Sequence, residues 1–245
     1  MKKLVYILWE SRPKTPAERR TILLERSAPA LLERGARYLQ VNVADDRVDV
    51  SSPAPRLPGS DEPFVAQVNV WANDDADHRI FEDVLRAAGF DPACYRVDES
   101  LYTEYGENAH SGPRTWPDGE RSPGILAVTL LERPARVPKE EWMRRWFGRQ
   151  SPMSEWMQPR ARYVRNIVLE PLTPGAFPYE GIVEEAWPSV EHVENPYLFY
   201  GARNALELAK NVAVMLRSVS SFLPIWKIPN VMTSEYFIRS PYGER

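Results

Sequence analysis

Two stretches of this chain, set about 120 residues apart, run through the same order of elements, and that repetition constrains the fold more than any other feature. Near the N-terminus, Leu4-Val5-Tyr6-Ile7-Leu8-Trp9 is a continuous apolar run, the pattern of a buried strand. Thr15-Pro16-Ala17-Glu18 then supplies a hydroxyl cap, a proline at the first helical position and a glutamate at the third. This predicts a helix to Arg34, stopped by Gly35. Residues 36–43 and 64–71 read as strands, separated by a long Pro/Ser/Asp-rich loop over 44–63. Asn73-Asp74-Asp75 opens a second helix, with Ile80, Phe81, Val84, Leu85 and Ala88 at helical spacing before Gly89. A fourth strand is expected over 95–105.

Residues 106–123 hold His110, Ser111, Gly112, Pro113, Pro117, Gly119 and Pro123, a density of turn formers that reads as a linker. The order then restarts. A strand over 125–131 is followed by a helix from Pro138 to Met157, and Ala161-Arg162-Tyr163-Val164 opens a strand as Ala36-Arg37-Tyr38-Leu39 does. Trp71 and Trp187 each close a third strand, and Glu99 and Glu235 each fall in a fourth. The second helix is longer in the second half, over 198–222. Agreement of order and type predicts an internal duplication. Strand-helix-strand-strand-helix-strand is the ferredoxin-like unit, whose bare sheet face must be covered. The expected class is therefore α+β: two ferredoxin-like βαββαβ repeats packed sheet to sheet as an intrachain pseudo-dimeric α+β barrel. The first repeat would span 1–105, the linker 106–123, the second repeat 124–240 and a tail 241–245.

Composition removes several functions. With 31 Lys+Arg against 34 Asp+Glu, a formal charge of −3, the chain has no electrostatic footprint for nucleic acid. One cysteine, Cys94, and three histidines, His78, His110 and His192, leave no disulfide and no Cys- or His-rich metal centre. The cluster Glu191-His192-Val193-Glu194 lacks a fourth ligand, so no metal and no cofactor are expected. The apolar run after Lys2-Lys3 is too short for a signal peptide, and no run reaches the roughly 20 apolar residues of a membrane span. A cytoplasmic protein is the expectation.

The segment Leu24-Glu25-Arg26-Ser27-Ala28-Pro29 with Ala36-Arg37-Tyr38-Leu39-Gln40-Val41-Asn42, and the segment Arg149-Gln150-Ser151-Pro152 with Ala161-Arg162-Tyr163-Val164-Arg165-Asn166, resemble the EthD-like family of the dimeric α+β barrel superfamily. The resemblance covers both halves. It implies a small-molecule protein without a cofactor, an oxygenase, isomerase or cyclase acting on an aromatic, lactone or polyketide-like compound. It also implies that the first helix carries a histidine two residues before a proline. Ser27 and Gln150 stand there, so neither half can use that histidine as acid, base or haem ligand.

An apolar pocket between the sheet and the helices of one unit is the expected site. Ser27 and Gln150, beside Pro29 and Pro152, would face it, with Tyr6, Tyr38, Trp71, Tyr163 and Trp187 as wall candidates. The plainer alternative has Ser27 bonding back to its own helix and Gln150 solvated. Glu99 and Glu235 are the remaining acid or base candidates, although a strand glutamate is more often an outward-facing group in water. Trp142, Trp146, Met153, Trp156 and Met157 read as core, with a ligand wall or a subunit interface as the alternatives. The helix over 198–222 is apolar around much of its circumference, which implies burial on more than one side and a homodimer contact. Six of the eight tryptophans fall at Trp116 or later, so if one half keeps a packed scaffold rather than an open site, it is expected to be the second. Two functions fit: an enzyme acting on a hydrophobic small molecule, or a non-enzymatic ligand-binding or structural barrel filled by its own aromatic side chains.

Overall fold

The computed structural model describes residues 1–50, 63–74 and 76–242, so most of the loop expected over 44–63 and the end of the tail lie outside the described residues. β1 (Lys2–Glu10) leads to Thr15, whose hydroxyl accepts from the Glu18 N–H while the Glu18 carboxylate accepts from the Thr15 N–H. That capping box starts α1 (Pro16–Thr21), which continues through a π-helical stretch (Ile22–Ser27) into α2 (Ala28–Glu33). β2 (Tyr38–Val43), β3 (Ala66–Ala72), α3 (His78–Ala87) and β4 (Phe90–Thr103) complete the first half. The second half runs β5 (Ile125–Leu131), α4 (Lys139–Arg145), a π-helical stretch (Trp146–Gln150), α5 (Ser151–Met157), β6 (Arg162–Pro171) and β7 (Gly181–Trp187). Two short helices, α6 (Glu191–Glu194) and α7 (Pro196–Phe199), precede α8 (Ala205–Ser220), a 3-10 turn (Ile225–Lys227) and β8 (Asn230–Arg239).

The two π-helical stretches have a common local cause. Pro29 and Pro152 follow them in the first turn of the next α segment. A proline inside a helix cannot donate to the carbonyl four residues back, and its ring pushes that carbonyl away. Widening the preceding turn relieves the clash without ending the helix.

Three boundaries depart from the sequence reading. α3 starts at His78 rather than 73, because Asp77 caps it by accepting from the Arg79 N–H. β4 starts at Phe90, directly after the turn at Gly89. The helix expected over 198–222 is broken: Gly201 sits at φ +55°, where an added Cβ would lie 2.3 Å from the Met157 carbonyl oxygen, and Asn204 caps a fresh start by accepting from the Glu207 N–H.

The strands close into one barrel in the order β1-β3-β2-β8-β5-β7-β6-β4. Every pairing is antiparallel. Each half contributes a four-stranded sheet, and the sheets are hydrogen-bonded edge to edge through β2–β8 and β4–β6. Closure removes the open edges that two stacked sheets would keep. The linker expected over 106–123 is not a loose tether. It runs along β8, with the N–H groups of Gly119 and Ser122 donating to the carbonyls of Phe237 and Glu235 at 2.6 and 2.8 Å.

Side chains alternate between the barrel interior and the helices outside. In the first half Leu4, Tyr6, Val68 and Val70 pack with Leu23, Leu31, Phe81 and Leu85. In the second, Leu131, Tyr163 and Val183 meet Trp142, Trp146 and Phe222. Inside the barrel lie Val5, Ile7, Tyr95, Leu126, Val128 and Ile182. α8 buries only Asn211, Met215 and Ser218, contrary to the expectation of burial on several sides, and leaves Leu206 82% exposed. Among the described residues no helix is long and apolar enough to cross a membrane.

Candidate functional site

The barrel interior holds a polar cluster that hydropathy does not announce. Glu184 on β7 is fully buried and accepts from the amides of Gln67, Asn69 and Asn166 at 3.0, 2.9 and 2.9 Å and from Gln40 at 3.2 Å. Lys3 and Arg162 stand 3.4 and 3.7 Å away. Burial alone would raise the Glu184 carboxyl, but the two cations and the Asn166 and Asn69 amides outweigh it and hold it down at about 2. Glu235 accepts from Tyr105, Gln40 and Arg162 at 2.8, 2.9 and 3.2 Å. Its burial outweighs these partners and pushes its carboxyl up. Most of these groups pair with one another, which stiffens the barrel, while Arg162 Nη2 and Asn166 Oδ1 have no hydrogen-bond partner among the described residues.

Space for a ligand lies outside the barrel, in a second-half cavity and in a larger first-half groove between α2 and α3. A cavity of about 240 Å³ separates the outer faces of β5, β6 and β7 from the helix carrying Trp146 and Gln150, with α8 and the 3-10 turn closing the far side. Trp187, Phe199, Met215, Phe222 and Trp226 make most of its wall apolar. Its polar groups are few. The Tyr163 hydroxyl takes the Trp146 indole N–H at 3.2 Å and lies 3.3 Å from the Ser151 hydroxyl. Burial, ahead of all other influences, pushes this phenol up, so it stays protonated. With Ser151 as donor, both phenol lone pairs are filled and its proton is left for a ligand oxygen. Arg160 stacks 3.9 Å from the Tyr163 ring centroid and donates to Glu185 at 2.6 Å and Glu155 at 3.0 Å. The Gln150 amide donates to the Met215 sulfur at 3.3 Å, while its buried Oε1 has no partner among the described residues.

The sequence candidates separate accordingly. Gln150, Tyr163 and Trp187 line the cavity. Pro152 and Pro29 are exposed on the helices beside it and in the other half. Ser27 lies instead on a groove between α2 and α3, its Oγ without a partner among the described residues, so it does not bond back to its helix. Tyr6 donates to the His78 carbonyl at 2.9 Å within the first-half core, and Tyr38 is half-buried at the start of β2. Trp71 stands at the barrel mouth under Lys3, 4.7 Å from the ring centroid. Neither Glu99 nor Glu235 is an open carboxylate: Glu99 is half-buried, pairs with Lys3 and accepts from Tyr242 at 2.8 Å, and Glu235 is buried in the barrel. The tryptophan-rich second half carries a cavity of its own, because its aromatic side chains stand around a space instead of filling it, and the first half carries the groove at Ser27.

Residues passed over in the sequence include Lys3, Arg162 and Glu184 in the barrel, and Met215 and Trp226 at the cavity. One signal was available: Gln40-Val41-Asn42 and Gln67-Val68-Asn69 repeat the same triplet in paired strands and place four amides inside. Among the described residues no cluster of three or more His, Cys, Asp or Glu is placed to hold a metal ion.

No family model matches the chain, and no curated protein matches it. Solved structures do. An anthrone oxidase-like protein overlays at a TM-score of 0.57 with 10% identity, over 100% of this chain and 96% of its own. A provisionally named monooxygenase from Fusobacterium nucleatum gives 0.47 with 8% identity, over 97% and 93% of the two chains. A chlorite dismutase variant from Candidatus Nitrospira defluvii gives 0.43 with 9% identity, over 98% and 91%. At such identities the likeness is one of fold alone: a closed antiparallel barrel with helices outside, here formed within one chain.

Proposed function

We propose that this chain is an EthD-like small-molecule protein, arisen by internal duplication, whose site is the second-half cavity and whose ligand is a flat hydrophobic or aromatic compound. The observation that carries the proposal is the cavity itself: about 240 Å³, aromatic-walled, with the phenols of Tyr163 and Tyr200 and one amide oxygen, Gln150 Oε1, without a partner among the described residues. Its volume is somewhat below the roughly 300 Å³ of small ligand clefts and suits a compound of about two or three fused rings. Tyr163 would donate to a ligand carbonyl and Gln150 Oε1 would accept from a ligand hydroxyl.

The chemistry proposed is that of a cofactor-free oxidoreductase or isomerase acting on a substrate reactive in its own right. Glu185, the carboxylate at the cavity, is paired with Arg160, and the place of the family's histidine is Gln150. A base is therefore not at hand, and the protein's part is to orient the compound and exclude water. Those same facts favour a second reading, a ligand-binding barrel without catalysis.

One experiment separates the readings. Anthrone and anthraquinone are titrated into the protein, following tryptophan fluorescence, and oxygen uptake is then measured with anthrone, which consumes one O₂ to give anthraquinone and water. Quenching that weakens about tenfold in Gln150→Leu or Tyr163→Phe, with oxygen uptake above the spontaneous rate, supports the enzyme. Quenching without added uptake supports the binder. Absence of quenching by either compound overturns both.

A further inference from the structure

We propose that the groove between the α1–α2 helix and α3 is a second binding site, for a small anionic amphiphile: a carboxylate or phosphate monoester carried on an apolar chain or ring. The groove has a volume of about 790 Å³ and lies on the first half, away from the cavity of the proposed function. Its apolar lining comes from Ile22, Ala30, Val84 and Ala88. Arg12, Lys14, Arg26 and Arg34 line it too, against one acid, Asp83, which is itself near Arg86 at 3.8 Å.

The arginines of this groove differ from their helix neighbours in pairing. Arg19 and Arg20, on the same helix, are paired with Glu10 and Asp46. Arg12, Arg26 and Arg34 have no carboxylate at ion-pair distance among the described residues. Helical spacing explains part of this. The neighbours of Arg26 at three and four residues are Leu23, Ile22, Pro29 and Ala30, and those before Arg34 are Leu31 and Ala30, so no acid shares their face. Lys14 donates to the carbonyls of Gly89 and Arg12 at 2.5 and 3.1 Å, and an ammonium has a third N–H.

Ser27 is the independent mark of a ligand. It is 2% exposed, it lines the groove, and its hydroxyl has no partner among the described residues. In a regular helix that hydroxyl would return to a carbonyl three or four residues back. The π-helical turn that ends at Ser27 displaces this ladder and leaves a buried donor beside three free guanidinium groups. A donor, several cations and an apolar lining together match an anionic head with an apolar body.

Calorimetric titration of the full chain tests this with four probes: decanoate, decyl phosphate, decanol and inorganic phosphate. Decanoate or decyl phosphate is expected to bind at least about tenfold more tightly than decanol, and more weakly as salt rises. The preferred head tells carboxylate from phosphate ester. Arg26→Ala with Arg34→Ala should weaken the anionic probe about tenfold or more, and Ser27→Ala should weaken it while leaving decanol unchanged. Met215→Trp, which fills the second-half cavity, should leave binding unchanged. The proposal is overturned if no anionic probe binds, if decanol binds as well, if the arginine variant binds normally, if Met215→Trp abolishes binding, or if inorganic phosphate alone binds as tightly as decyl phosphate.

Discussion

Glu184 is fully buried in the barrel and yet remains ionised, and stability should record this as a dependence on pH. Its carboxyl sits at about 2 in the fold against an ordinary value of 4.5. As pH falls, the unfolded chain takes up this proton first, so the stabilisation is whole above about 4.5 and is lost down to about 2. Its size is on the order of 3 kcal/mol. Glu235 works in the other sense. Its folded value is raised, so its contribution is whole below the ordinary value and is lost as pH rises through the folded one. Urea unfolding of Glu184→Gln at pH 7 should show a loss of about 3–5 kcal/mol, because Lys3 and Arg162 are left buried with less opposing charge. The acid limb between pH 4.5 and 2 should flatten in the same variant. Glu235→Gln should cost less than Glu184→Gln at pH 7, since burial already disfavours its charged form; an equal or larger cost would contradict the assignment. None of this could be read from Glu184 alone. Period-two alternation places Gln40, Asn42, Gln67 and Asn69 on one face but does not say whether that face meets water or the inside of a closed barrel.

Among the elements, the first helix of each half shows where local rules suffice and where they stop. The Thr15 box and the glycine stops were legible because caps satisfy orphan backbone groups with side chains of known type. The π-helical turns were not, since a slipped hydrogen bond has no composition of its own, although Pro29 and Pro152 are its local cause. The break at Gly201 was missed for a related reason: a glycine within an apolar periodic run is tolerated in many helices, and here the approach of the Met157 carbonyl decides. The seam between β7 and the second π-helical turn offers a test of the cavity. A Cβ on Gly181 would lie 2.7 Å from the Trp146 ring. Gly181→Ala must therefore push that indole away, disturbing its N–H bond to Tyr163 and the cavity wall. We expect a loss of about 1–3 kcal/mol in stability, as for overpacked cores, with a fall in anthraquinone quenching larger than stability explains. Undiminished quenching in a folded variant would place the ligand elsewhere.

At the scale of the whole molecule, barrel closure uses up the sheet edges, so copies cannot associate by adding strands edge to edge. α8 covers the cavity with Met215 and Val219 and leaves its outer face open. Leu206, Ala209, Ala213 and Leu216 recur at spacings of three and four along its outer face, a seam suited to a second helix. Leu206 and Leu216 are 82% and 48% exposed at its ends, and Val214 is 39% exposed. The small residues in the middle permit close approach, and the pattern is self-complementary about a twofold axis: with α8 antiparallel to its copy, each leucine meets a leucine and each alanine an alanine. The order of elements was readable from the repeat because each half sets its own strands and helices locally. The outward face of α8 was not, because apolar periodicity marks a face to be covered without saying whether the same chain or another copy covers it. Light scattering at tens of micromolar should give a mass near twice 28.2 kDa. Leu206→Glu with Leu216→Glu should bring it to the single-chain mass with unchanged circular dichroism, since both side chains are already largely in water. A native chain that stays at the single-chain mass across that range would leave α8 without a copy as its partner.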